Sequence, residues 1–240
     1  RNLRVGAAVQ ATAVAQWRLA HGQVLPEHLR IGEVLDPSVH TWSLQQGPDL
    51  QVFGDSALAT SHLGRGQVLS LPNRADLSDA SLRRLHAGPQ ALLGLDAHGR
   101  VVVAERLQLA QALDDLYAQA AAATELGVRL KQPAATEWTL WAPTARAVWV
   151  CVHGPKGADA TELVPAEQDQ ASGIWHARLP RDLRGHTYRY LVDVFVADGG
   201  WVRNRVTDPY SVSLTANSQH SWVGDLADPA LAPAGWVGHR

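Results

Sequence analysis

Carboxylates come first among the residues that could do chemistry, because cleaving a glycosidic bond takes two of them facing one bond at a mechanism-set separation. Most acidic residues sit in turns or beside basic residues; Asp114-Asp115 lie on an expected helix and Asp225/Asp228 near the end. Both are expected on solvated surface. Asp208, inside Thr207-Asp-Pro-Tyr210, reads differently. Its side chain can accept hydrogen bonds from the backbone N–H groups that follow and so fix the turn before Pro209. The eleven histidines form no HExxH motif and no pair at an obvious ligand spacing. His220 is expected to stand alone beside Trp222, and His153, His176 and His186 read as strand or turn residues. Gly64-Arg-Gly66 is too short for a phosphate loop, and no GxSxG elbow occurs. The single cysteine, Cys151, excludes an internal disulfide and a thiolate metal cage, and is expected as a buried strand thiol. These residues imply no catalytic set, no metal and no cofactor.

A binding platform is easier to build from this sequence. Nine tryptophans stand against two phenylalanines. Tryptophan joins a large apolar face to one polar donor, which suits stacking on the apolar faces of sugar rings. Trp201 follows Asp198-Gly-Gly200 at an expected turn tip, where a core residue is out of place. An exposed Trp201 could stack on a sugar ring while Arg189 and Asn217 hydrogen-bond its hydroxyls. Stacking of this kind is worth on the order of 1 kcal/mol per ring, so affinity would be weak unless multivalent. The alternative is that Trp201 caps the core or packs on a neighbouring domain.

The elements that must position these residues differ between the two halves of the chain. Its 240 residues can bury one large core or two modest ones, and two is the expected division. A net charge of −2 leaves no electrostatic footprint for nucleic acid or an anionic membrane. No apolar run approaches the roughly 20 residues that cross a bilayer as a helix. The start, Arg1-Asn-Leu-Arg4, has neither Met nor an apolar signal core, which fits a processed or trimmed N-terminus. In the second half, Thr136–Trp141, Ala147–His153 and His186–Val196 alternate as strand faces do. Tyr188, Tyr190, Val192, Val194 and Val196 share one face; Thr187, Arg189, Leu191, Asp193 and Phe195 share the other, which reads as mixed and partly solvated. Turn sequences at Gly154-Pro-Lys-Gly157, Gln170-Ala-Ser-Gly173, Leu179-Pro-Arg-Asp182 and Asp198-Gly-Gly200 complete a small antiparallel sandwich.

The first half reads as α+β. Leu109, Leu113 and Leu116 recur at helical spacing within Leu107–Ala123, with Gly127 as the stop. A shorter helix spans Ser78–His86, with Ser78 as N-cap and Gly88-Pro89 ending it. Ala91–Leu95 and Val101–Ala104 flank Asp96-Ala-His-Gly99 as a hairpin. Further strands are expected in Ala11–Leu19 and Thr41–Phe53. The fold class is therefore mainly β: an α+β domain over residues 1–126, an immunoglobulin-like antiparallel β-sandwich over 127–225, and a linker over 226–240.

Longer motifs carry a family resemblance. Trp141-Ala-Pro-Thr-Ala145, Ser172-Gly-Ile-Trp175, Tyr188-Arg-Tyr190 and Thr207-Asp-Pro-Tyr-Ser-Val-Ser-Leu-Thr-Ala-Asn-Ser218 resemble the family 48 carbohydrate-binding modules that precede the barrel in family 13 debranching enzymes. Leu29-Arg-Ile-Gly-Glu-Val-Leu-Asp36, Leu71-Pro-Asn-Arg-Ala-Asp76 and Leu113-Asp-Asp-Leu-Tyr117 resemble the small domain ahead of that module in pullulanase-type α-1,6-glucosidases. Val223 to Trp236 resembles the segment leading into the barrel. The resemblance implies a non-catalytic N-terminal part of a debranching enzyme, with α-glucan (pullulan, amylopectin or glycogen) and a C-terminal catalytic barrel as its partners. It favours an extracellular or periplasmic setting and leaves a cytoplasmic one open. Related glycogen-binding modules use a tryptophan after a DGxW-like turn and a basic residue in the preceding strand, which Trp201 and Arg189 match; Gly154-Pro-Lys-Gly-Ala158 stands where their second aromatic lies. Two alternatives accompany this reading: purely structural domains that pack on a barrel, and a free-standing glucan sensor.

Overall fold

The computed structural model describes residues 3–6, 14–22, 29–47, 66–72, 77–107, 110–121, 125–131, 134–157, 159–196, 200–233 and 235. Chain contacts divide it into two compact units, Arg1–Leu116 and Tyr117–Arg240.

The first unit is built on one antiparallel sheet. Its strands are β1 (Leu3–Gly6), β2 (Gln16–His21), β3 (Thr41–Gln46), β4 (Gly66–Ser70), β5 (Gln90–Leu95) and β6 (Val101–Arg106), ordered β1-β4-β3-β2-β5-β6. Strand β5 is buried along its whole length, as a central strand covered on both faces must be. Ala91, Leu93 and Leu95 face Ala20, Val39 and Val101 on one side. Leu92 packs with Trp17, Leu19, Leu44 and Leu69 on the other. Helix α1 (Asp79–His86) starts where the sequence places it: the Ser78 hydroxyl accepts from the Ser81 N–H at 3.2 Å. The β5–β6 hairpin is tied by Asp96, whose Oδ1 accepts from the His98 and Arg100 N–H groups at 2.8 and 2.9 Å. Of the two expected strands, the described parts are Gln16–His21 and Thr41–Gln46; residues 11–13 and 48–53 lie outside the described residues, as do Gly64, Arg65 and 73–76.

Helix α2 (Ala110–Ala121) spans the division between the units, with Leu113 and Leu116 half-buried and Asp114 and Asp115 exposed. Leu109 and residues 122–124 lie outside the described residues. Gly127 is not the helix stop it resembles. It opens the next strand, where it pairs with Thr139.

The second unit is a two-sheet sandwich. Strands β7 (Gly127–Lys131), β8 (Ala135–Trp141), β11 (Glu167–Asp169) and β12 (Ile174–Leu179) form one sheet in the order β11-β12-β8-β7. The other holds β9 (Ala147–His153), β10 (Ala160–Pro165), β13 (Thr187–Val196), β14 (Gly200–Val206) and the short β15 (Ser221–Trp222). Its order is β10-β9-β13-β14, with β15 pairing the start of β13. Between the sheets lie Trp138, Leu140, Val148, Val150, Val152, Trp175, Ala177, Tyr188, Tyr190 and Val192. These come from alternate strand positions, as inward-facing sandwich residues do. Two of the polar groups that reach this core find backbone partners, whereas the buried Trp138 indole nitrogen has none among the described residues. The Trp175 indole N–H donates to the Ala142 carbonyl at 2.9 Å. The Thr136 hydroxyl donates to the Arg181 carbonyl at 2.9 Å and accepts from the Leu183 N–H at 3.1 Å.

Candidate functional site

Strand β13 is the spine of the candidate site, because its ten residues send two opposite rows of side chains to two environments. The inward row is Tyr188, Tyr190 and Val192, all buried. The outward row is Arg189, Leu191, Asp193 and Phe195, each half-buried. Thr187 departs from the expected solvated face. It is buried because its hydroxyl donates to the Gly154 carbonyl at 3.0 Å and β15 pairs beside it.

Antiparallel register carries the outward row onto both neighbours of β13. Across β14, Phe195 pairs with Trp201, Asp193 with Arg203 and Leu191 with Arg205. Across β9, Arg189 pairs with Cys151, Leu191 with Trp149 and Asp193 with Ala147. Directly paired side chains project to the same face. The outer face of the sheet is thus an aromatic and basic surface centred on one carboxylate.

Trp201 stands at one end of this face and is 46 % exposed, which leaves an indole surface open to a ligand. Phe195 meets it edge-on, with ring centroids 5.9 Å apart, and the Arg146 guanidinium lies 5.4 Å from its ring. The turn residues 197–199 that precede it lie outside the described residues. Further along, Arg203 binds Asp193 with two parallel hydrogen bonds, Nε to Oδ1 at 2.7 Å and Nη2 to Oδ2 at 2.8 Å. The same guanidinium covers the Trp149 ring at 4.4 Å. Hydrogen bonding from Arg203 holds the Asp193 carboxyl below its ordinary value.

The three residues expected to share one sugar do not come together. Arg189 precedes Phe195 by six positions on a strand rising about 3.3 Å per residue, so it sits on the order of 20 Å from the Trp201 end. Asn217 lies in a short 3-10 turn, Ala216–Ser218, in a left-handed backbone conformation with φ of 57°. That turn connects Leu214 to Ser221, and Ser221 pairs with Tyr188 at the end of β13 remote from Trp201. Arg146, Trp149, Asp193 and Arg203 are the residues that sequence reasoning left out. Alternation along β13 puts Asp193 in the outward row, but the register of β9 and β14 is what gathers the other three.

Four further expectations meet different outcomes in this unit. Asp208 is a structural acid, as read from the sequence. It is 3 % exposed; Oδ1 accepts from the Tyr210 N–H at 2.8 Å, and Oδ2 from the Tyr188 and Tyr190 hydroxyls at 2.6 and 3.4 Å. Burial raises its carboxyl above the ordinary value, and the hydrogen bonds only partly offset that. His220 is not alone: its ring packs edge-on against His153 at 4.4 Å, because β15 returns the chain beside β13, which pairs His153 of β9. Cys151 is half-buried rather than buried, because it belongs to the outward row, opposite Leu163 and Arg189. Asp228, expected as plain surface, caps a short turn by accepting from the Ala230 N–H and pairs with Arg184 at 2.7 Å.

Near β15 the unit also carries an apolar cleft of about 530 Å³, lined by Pro155, Thr187, Leu214, Trp222, Leu226 and Leu231. Gly224 packs its backbone directly on the Trp222 indole, where any side chain would collide with the ring. Among the described residues no three His, Cys, Asp or Glu side chains are grouped to hold a metal ion. No helix among them is long and apolar enough to cross a membrane.

Comparison with known proteins places these features. Residues 125–211 match the family described as carbohydrate-binding module 48 (isoamylase N-terminal domain). Over 178 residues the chain is 36 % identical to a pullulanase of Klebsiella pneumoniae, an alignment covering 73 % of this chain and 16 % of that protein. It is 30 % identical over 160 residues to a chloroplastic pullulanase of Arabidopsis thaliana, covering 66 % of this chain and 16 % of that one. Among solved structures, Klebsiella pneumoniae pullulanase complexed with maltotriose superimposes with a TM-score of 0.77 at 29 % identity, covering 94 % of this chain and 20 % of that one. The chain thus spans about a fifth or less of the relatives it resembles.

Proposed function

We propose, from the premise that residues 125–211 are a family 48 carbohydrate-binding module in a chain homologous to the N-terminal region of pullulanases, that this segment binds α-glucan weakly and does no bond cleavage itself. The longer protein would be an α-1,6-glucosidase acting on branched α-glucans. Residues 1–126 serve as the small α+β domain of that enzyme, 127–225 as the sugar-binding module, and 226–240 as the lead into a catalytic barrel.

The observation that carries the reading is Trp201: an indole 46 % exposed, propped edge-on by Phe195 and set on a regular sheet face rather than in a core. Its apolar face offers about 1 kcal/mol of stacking to one sugar ring. Arg189 and Asn217, at the remote end of β13, serve as hydroxyl contacts for a longer chain rather than for the ring on Trp201. Native affinity electrophoresis in amylopectin or pullulan tests the reading. Retardation is expected, and Trp201→Ala removes most of it; unchanged mobility of the parent chain sinks glucan binding.

A second reading, in which the unit serves mainly to pack on a catalytic barrel, is favoured by the apolar cleft. Leu214, Leu226 and Leu231 are each 44 % exposed or more around half-buried Trp222. Clustered leucines of this sort mark protein contacts more often than sugar contacts. In the full-length protein, Leu226→Glu with Leu231→Glu would lower the unfolding temperature of the barrel if the cleft seats it, and leave it unchanged otherwise.

A further inference from the structure

We propose that the Asp193–Arg203 fork, stacked on Trp149, is an additional α-glucan subsite that extends the Trp201 platform along the outer face of the sheet; this rests on the glucan-binding reading above. Three features converge on Arg203. Its guanidinium is held by Asp193 through two bonds of 2.7 and 2.8 Å. It also sits over the Trp149 ring, 4.4 Å from the centroid, a second contact that helps hold it. Arg203 is itself exposed. The fork uses two of the five N–H donors a guanidinium carries, which leaves three for hydroxyl oxygens. Each Asp193 oxygen that accepts from Arg203 keeps a further lone pair for a hydroxyl donor. A donor and an acceptor side by side, held rigid before the ligand arrives, are what a vicinal diol requires.

Spacing identifies the ligand as a chain rather than a single sugar. Trp201 stands opposite Phe195 and Trp149 opposite Leu191, on strands either side of β13. Four residues along the strand and two strand spacings across put the two indoles on the order of 16 Å apart. The fork lies between them, with Asp193 two residues from Leu191 and two from Phe195. Arg146 adds a cation above Trp201, and its backbone N–H is anchored to the Asp193 carbonyl at 2.8 Å. A run of several linked glucose units can therefore stack on Trp201 and continue over the fork. The surplus of arginine would also suit an acidic protein surface, and salt separates the two. A neutral glucan is held by stacking and short hydrogen bonds, whereas an acidic surface is held by screenable charge.

The test is native affinity electrophoresis of the full chain in pullulan, a neutral α-glucan, at low salt and at about 0.5 M salt, where the Debye length falls to about 4 Å. Arg203→Ala is expected to weaken binding about five- to tenfold and Asp193→Asn about threefold, as loss of charge-assisted contacts predicts. Arg203→Lys should behave like Arg203→Ala, because lysine keeps the charge but loses the planar fork. Thermal melting of each variant shows that the sheet is intact; a variant that melts lower is replaced by Arg203→Gln, which keeps a planar donor and should recover part of the affinity. If Trp201→Ala abolishes retardation while Arg203→Ala leaves it unchanged, the subsite is overturned and the Trp201 platform stands. If the parent is not retarded at all, both fall. If Arg203→Ala leaves retardation in pullulan unchanged but removes a salt-sensitive retardation in a gel carrying polyglutamate, the subsite is overturned in favour of an acidic partner.

Discussion

The Tyr188 hydroxyl donates to the Asp208 carboxylate at 2.6 Å inside the sandwich, where Asp208 is 3 % exposed and Tyr188 fully buried. Asp208 also takes the Tyr210 N–H and a longer bond from Tyr190. One side chain thus closes a turn and ties it to the central strand. Asp208→Ala leaves these donors without their acceptor, each at about 1–3 kcal/mol. We expect the unit containing it to lose about 3 kcal/mol of stability in chemical denaturation, with Asp208→Asn losing less. A change under 1 kcal/mol would contradict this account.

The same network sets an alkaline limit. Burial first, then the neighbouring Tyr190 and Asp208, pushes the Tyr188 hydroxyl far above the ordinary tyrosine value, and burial with Asp208 does the same for Tyr190. The unfolded chain releases those protons near pH 10 while the folded chain keeps them. Their contribution is therefore whole below about pH 10 and lost as pH rises further. Denaturation midpoints measured from pH 8 to 11 should fall steeply above 10, and Tyr190→Phe should soften the fall.

His220 sets a limit on the acid side. Burial lowers its pKa first, and the charges of Arg189, His153 and Arg205 lower it further. The folded unit therefore holds the neutral ring, while the unfolded chain protonates near pH 6.5. Stability tied to this group is complete above that pH and declines as pH falls below it. Melting temperatures between pH 7.5 and 5 should drop less for His220→Gln than for the parent. Equal slopes would mean that His220 is not the responsible group.

Gly173 closes the β11–β12 turn with φ of 70°. A Cβ there would approach the Pro143 Cβ to 2.6 Å, so a side chain meets both backbone strain and a rigid neighbour. Gly173→Ala is expected to cost about 2–3 kcal/mol. Wild-type stability in calorimetry would show that the turn relaxes freely.

Much of this was legible because burial on one sheet face imposes a period of two, and Ala147–His153 and Thr187–Val196 display it openly. The local half of the Asp208 role was legible, since its Oδ1 accepts from the Tyr210 N–H two residues on, but its bonds to the distant Tyr188 and Tyr190 hydroxyls were not. The outer-face cluster was not. Trp149, Asp193 and Arg203 belong to three strands, and sequence does not print the register that aligns them. His153 and His220 were missed in the same way, since β15 carries the second beside the strand that pairs the first. Gly127 misled because glycine ends helices and opens strands with equal ease.

The β13–β14 ribbon also works as a ruler. Its pairs run from Tyr190/Val206 to Val196/Gly200, and the inward row forbids a one-residue slip because that would trade Tyr188, Tyr190 and Val192 for Arg189, Leu191 and Asp193. Length within the ribbon can therefore change only by two residues per strand. Such a step between the Asp193/Arg203 and Phe195/Trp201 pairs would carry Trp201 about 7 Å further from Arg203 and Arg189. Relatives with shorter or longer ribbons should favour glucan chains of correspondingly shorter or longer reach.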